Sequence, residues 1–68
     1  MEGTALTALI AEAIAEGDRR DGWLRIERIG DGWETSIVVD NRRVWITREE
    51  YLESALMRLN MRAAAKRP

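Results

Sequence analysis

Two tight-turn signals in the middle of the chain, Asp31-Gly32 and Asn41-Arg42, constrain its fold more than any other feature. Asp-Gly is a strong hairpin signal, and Asn tolerates the positive φ that a two-residue turn requires. β-Branched and aromatic residues alternate with polar ones on both sides of each turn. The sequence therefore predicts a three-stranded antiparallel meander over about residues 23–47.

The two turns predict registers that agree with each other. A two-residue turn at each site fixes which residues lie opposite each other across the strands. The predicted pairs include Ile29–Glu34, Ile26–Ile37, Leu24–Val39, Val39–Val44, Val38–Trp45 and Ile37–Ile46. Because side chains alternate along a strand, the expected core face is Leu24, Ile26, Thr35, Ile37, Val39, Val44 and Ile46. The expected outer face is Trp23, Arg25, Glu27, Ser36, Val38, Asp40, Arg43, Trp45 and Thr47, with Trp33 at one end of the core.

Helical periodicity is found on both sides of the predicted sheet. Apolar residues at i, i+3, i+4 spacing predict a first helix over about residues 4–16, with Thr4 as its cap and Gly17 as the left-handed residue after its end. A capping box over residues 47–50 is expected to begin the second helix, with Ile46 and Tyr51 forming a hydrophobic staple. The buried stripe of that helix is expected to be Leu52, Ala55, Leu56, Leu59 and Ala63.

These elements predict an α+β fold, with residues 1–68 forming a single domain. The predicted order is helix, three-stranded antiparallel meander, helix, with both helices on one face of the sheet. A chain of 68 residues buries only about 60% of its unfolded surface, so packing or a second subunit must supply extra stability.

The composition argues against catalysis. The chain contains neither Cys nor His, and its acidic residues are scattered over turns, strands and helix ends. No metal or cofactor site is therefore expected, and we expect the protein not to be an enzyme. With no long apolar segment and no basic N-terminal region, a cytoplasmic location and no membrane partner are expected.

The outer face of the sheet provides the first candidate binding site. Trp and Arg are enriched at interface hot spots. The candidate protein-binding residues are Trp23, Arg25, Val38, Arg43 and Trp45. The simpler interpretation is that cross-strand aromatic pairs such as Val38–Trp45 only stabilise the sheet. A homodimer formed through the same face is another version of the binding hypothesis.

A basic ridge on the second helix provides the alternative site. Arg58, Arg62 and Lys66 follow i, i+4, i+8 spacing, and Arg42 adds a cation at the hairpin tip. Such a ridge can contact nucleic acid, although cations at a helix C-terminus also stabilise the helix dipole. The net charge of −1 makes nucleic acid the less expected partner.

The order α–β–β–β–α resembles the double-stranded RNA-binding domain, which binds the duplex through a basic cluster at the start of its second helix. Here that position reads Arg48-Glu49-Glu50. The resemblance therefore implies a topology without the binding residues.

Residues 37–59 are similar to the hairpin and helix of small head-completion proteins of tailed phages, which implies a structural role in a virion. In size and character the chain also resembles phage-encoded inhibitors, including anti-CRISPR proteins. We therefore expect a non-enzymatic protein-interaction module, of the phage or mobile-element inhibitor type, that binds a larger protein through the outer sheet face. The nucleic-acid-associated and head-completion roles are its alternatives.

Overall fold

The computed structural model describes residues 2–66, with side chains from residue 5 onward. The elements are α1 (Glu2–Asp18), β1 (Trp23–Ile29), β2 (Gly32–Val39), β3 (Arg42–Glu49) and α2 (Leu52–Ala65). The strands form one antiparallel sheet in the order β1-β2-β3, and the predicted α+β fold is confirmed.

Both helices pack on the same face of the sheet, with α1 against β1 and β2, and α2 against β2 and β3. The centre of the core is formed by Ala13, Ile37, Leu56 and Leu59, all fully buried. The hydroxyl of Thr35 donates a hydrogen bond of 3.2 Å to the Ala55 carbonyl, which ties β2 to α2. The predicted stripe on α2 is confirmed, because Ala55, Leu56, Leu59 and Ala63 are fully buried and Leu52 packs against them.

The predicted ends of α1 are wrong. The helix begins at Glu2, so Thr4 lies inside it, and it continues through Gly17 to Asp18. The positive φ of 56° is found at Asp21 instead. At Gly17 a side chain would lie 3.1 Å from the Trp23 Cα, so this glycine permits close contact between α1 and the start of β1.

The predicted capping box and staple of α2 are also wrong. Residues 47–49 pair with β2, so β3 continues to Glu49 and the helix begins only at Leu52. Thr47 donates its hydroxyl to the Trp45 carbonyl at 3.0 Å. Tyr51 occupies the N-cap position without a side-chain cap and is 63% exposed.

The first hairpin turns one residue earlier than predicted, at Gly30-Asp31, which shifts the strand pairing by two residues. Gly30 adopts a φ of 49°, and Leu24 pairs with Ile37 instead of Val39. A shift of two residues keeps every side chain on its predicted face, because the side-chain period of a strand is two. The faces of β1 and β2 are therefore correct although the register is not.

The second hairpin turns at Asp40-Asn41, where φ is 53° and 63°. Positive φ at both central residues is the geometry that matches the twist of paired strands. This turn also lies earlier than predicted, so Ile37 pairs with Val44 and not with Ile46.

A β-bulge in β3 changes the faces of the residues that follow it. Ile37 pairs with Val44, but Thr35 pairs with Thr47, so both Trp45 and Ile46 lie opposite Ser36. Trp45 has a φ of 52°, a conformation that usually requires glycine at this point of a bulge.

The bulge explains three incorrect placements in β3. Thr47, predicted on the outer face, is 5% exposed and lies on the core side. Trp45, also predicted outside, packs against the core cluster. Ile46, predicted in the core, is 38% exposed. One inserted residue reverses the alternation of the side chains, so the register cannot be extended across it.

Candidate interaction surfaces

The outer face of the sheet carries an exposed tryptophan. Trp23, Val38 and Arg43 lie opposite one another across the three strands. Val38 is only 7% exposed, whereas Trp23 is 55% exposed. Val38 is therefore almost covered, and the indole of Trp23 is the exposed apolar group that this face offers to a partner.

A buried glutamate organises the arginines beside this row. The carboxylate of Glu34 accepts hydrogen bonds of 2.8 Å from Arg43 Nη1 and 2.8 Å from Arg48 Nε. Arg25 Nη1 lies 3.9 Å from the same carboxylate and donates to Glu27 at 2.8 Å. Three strands thus contribute to one cluster of charges centred on β2.

The pKa of Glu34 lies below its usual value, chiefly because Arg48 donates a hydrogen bond to the carboxylate. Burial raises the pKa, but the positive charges of Arg48, Arg43 and Arg25 lower it further. The carboxylate stays ionised at neutral pH and keeps the guanidinium groups in fixed positions. Each arginine retains further N–H donors that Glu34 does not occupy.

Glu34 and Arg48 were not among the predicted site residues. Glu34 shares the face of Ser36 because side chains alternate along β2, but an isolated Glu in the sequence gives no sign of three arginine partners. Arg48 reaches this face only because the bulge changes the alternation of β3. Ser36 lies in the same face, 1% exposed, and its hydroxyl has no hydrogen-bond partner among the residues that the structure describes.

Trp45 belongs to a different part of the molecule. The guanidinium of Arg20 lies 4.4 Å from the centre of the Trp45 ring, and Arg20 is also 3.3 Å from the carboxylate of Glu16. A shallow cavity of about 430 Å³ adjoins this pair, with Lys66 at its edge. Four of the five predicted protein-binding residues thus share the outer face, and Trp45 does not.

The predicted basic ridge is divided between two places. Arg58 pairs with Glu49 at 3.1 Å, and Arg62 donates a hydrogen bond of 2.9 Å to the Ile46 carbonyl. These two arginines line a groove of about 350 Å³ between β3 and α2. Lys66 lines the separate cavity beside Trp45, and Arg42 is exposed at the hairpin tip.

No cluster of three or more metal-binding side chains is formed among residues 5–66, whose side chains the structure describes. In the same part of the chain, neither helix has the length and apolar character needed to cross a membrane. Comparison with protein-family models, with curated proteins and with solved structures gave no match.

Proposed function

We propose that this protein is a non-enzymatic interaction module that docks on a larger protein through the outer face of its sheet. The observation that supports this proposal is Trp23, which is 55% exposed beside arginines whose positions are fixed by a buried glutamate. Trp and Arg together are the residue types most enriched among interface hot spots.

The arrangement lowers the entropic cost of binding. An exposed arginine normally loses about 0.5–1.5 kcal/mol of side-chain freedom when a partner immobilises it. Arg43 and Arg48 are already bonded to Glu34, so part of that ordering precedes binding. The fixed guanidinium groups then present their remaining donors on the same sheet face as the indole of Trp23.

The composition of this face specifies the chemistry of the partner. It carries Arg25, Arg43 and Arg48 against Glu27 and Glu34, and Glu34 is nearly covered. A partner that offers an apolar pocket for the indole and carboxylates around it would satisfy both features. The interpretation as a phage or mobile-element inhibitor of the anti-CRISPR type stays a prediction, as do a cytoplasmic location and the head-completion role.

The nucleic-acid alternative has weaker support from the geometry. Arg58 is paired with Glu49 and Arg62 with a backbone carbonyl, while Lys66 lies in another cavity. Divided and partly neutralised cations give a small electrostatic contribution to phosphate binding. Replacing Arg58 and Arg62 with Gln, while Trp23 is kept, tests this alternative in the same binding assay.

Affinity capture from the native host, with three forms of the protein compared side by side, tests the proposal. Trp23→Ser removes the proposed central contact, whereas Tyr51→Ser removes an aromatic ring of similar exposure at the start of α2. A partner retained by the wild type and by Tyr51→Ser, and lost with Trp23→Ser, is the expected result. Equal recovery with both variants would contradict docking through the outer face.

A further inference from the structure

The side of α2 that faces away from the sheet carries an apolar seam. Met57 is 52% exposed and Met61 is 69% exposed. With Ser54 and Ala64 they form a 3-4-3 spacing, which is the a/d pattern of a helix that packs along another helix. Within its own fold, α2 uses a different stripe for the core, so Met57 and Met61 stay exposed.

Opposite charges lie on the two sides of this seam. On the α1 side, Glu12 and Met61 line a groove of about 240 Å³ between the helices, and Glu53 precedes Met57 by one turn. On the β3 side, Arg58 and Arg62 line the other groove together with Met61. The seam is therefore acidic along the α1 edge, whereas the β3 edge carries Arg62 and Arg58; Arg58 contacts Glu49 at 3.1 Å and retains further N–H donors.

We propose that this protein forms a symmetric homodimer by parallel packing of α2 along this seam. A two-fold axis parallel to the helix brings the acidic edge of one copy opposite the basic edge of the other. Glu53 of one copy then lies five residues before Arg58 of the second copy, which is the spacing of an interhelical ion pair in a parallel coiled coil. The symmetry forms this pair twice.

Asn60 fixes the position of α2 against α1 at the edge of the seam. It is 4% exposed, and its amide nitrogen donates a hydrogen bond of 3.2 Å to the Leu9 carbonyl. Its Oδ1 has no hydrogen-bond partner among the described residues. Because this oxygen has almost no exposed surface, a partner does not reach it, and the role of Asn60 is the internal contact that holds α2 against α1 beside the seam.

The seam continues beyond α2 onto α1. A stable interface covers about 800 Å² on each partner, so a dimer needs this neighbouring surface as well. The two heptads of α2 are extended by Ala5 and Ala8 of α1, which are exposed on the same helical face as Glu12. The seam lies on the helix layer, and Trp23 lies on the opposite face of the sheet. In the dimer, the outer sheet face of each copy therefore stays free for docking.

Sedimentation analysis of the full chain at rising concentration tests the dimer. Glu53→Arg alone and Arg58→Glu alone are each expected to raise the dissociation constant by about tenfold or more, equivalent to about 1.4 kcal/mol. The double variant is expected to return most of the affinity, because it restores the opposite charges. Met61→Glu is expected to give a monomer that keeps the wild-type circular dichroism, since Met61 lies outside the core.

Asp31→Arg is the matched control, because it makes the same charge change as Glu53→Arg at the exposed tip of the first hairpin. It should leave the dissociation constant unchanged. A wild-type chain that stays monomeric at all concentrations, or a dimer that Met61→Glu does not weaken, would overturn the proposal. A double variant no tighter than either single variant would overturn the parallel arrangement.

Discussion

From the bulge in β3 we predict that glycine is more stable than alanine at position 45, which reverses the usual order of these residues in a strand. Trp45 has a φ of 52°, a region in which a side chain costs about 1–2 kcal/mol and in which glycine is not penalised. Trp45→Gly and Trp45→Ala remove the same ring, including its contact with Arg20 and with the core. The difference between the two variants therefore isolates the backbone conformation at this position.

We expect Trp45→Gly to be more stable than Trp45→Ala by about 1 kcal/mol. In an ordinary strand position alanine is the more stable residue by about 0.5–1 kcal/mol. For a domain of this size, the expected difference corresponds to a shift in Tm of about 4–8 °C. Urea unfolding at one fixed protein concentration measures it, and the fixed concentration keeps any self-association constant.

Glu27 provides the control, because it lies in the regular part of β1 and is exposed. Glu27→Ala should be more stable than Glu27→Gly, in the normal order. If alanine is at least as stable as glycine at position 45, residue 45 does not have a positive φ. The bulge would then be absent, and Trp45 would point outward beside Trp23 as the hairpin pattern predicts.

Two further predictions concern the sheet. The pKa of Glu34 is lower in the folded protein than its ordinary value of 4.5. Its ion pairs therefore stabilise the fold when the pH is above 4.5, and this contribution is lost as the pH falls through the folded-state pKa. Glu34→Gln should lower the urea midpoint at neutral pH and should flatten its fall below about pH 4.5, and an unchanged acid profile would contradict the arginine cluster. Gly22→Ala should destabilise by about 1–3 kcal/mol, because its Cβ would lie 2.1 Å from the Val38 carbonyl oxygen. Gly30→Ala, where space is open but φ is 49°, should lose only about 1 kcal/mol in the same urea unfolding assay, and equal losses would refute the close approach at Gly22.

The element order could be read from the sequence because periodicity is averaged over many residues. The stripe of α2 and the alternation of β1 and β2 each repeat several times, so a two-residue error in the pairing of β1 with β2 left the faces unchanged. The composition of Asp31-Gly32 predicts a turn at those two residues. The turn forms at Gly30-Asp31, because Gly30 adopts the positive φ.

The site was harder to predict because it depends on single residues. A bulge arises from one extra residue, and nothing in the residues around Trp45 marks it, since a bulky aromatic is the wrong residue for a positive φ. Its consequence is large: it removes Trp45 from the outer face and brings Arg48 to Glu34. The five-residue patch thus becomes an exposed indole on β1 that shares its sheet face with arginines held by Glu34.

Calorimetry with the captured partner tests the central claim most directly. It compares the partner's affinity for the purified wild type, for Trp23→Ser and for Tyr51→Ser. Truncation of a hot-spot residue costs about 2 kcal/mol or more, so the dissociation constant should rise about thirtyfold with Trp23→Ser. Tyr51→Ser should bind as the wild type does. A dissociation constant within about twofold of wild type for Trp23→Ser, with its circular dichroism unchanged, would contradict docking through the outer face of the sheet.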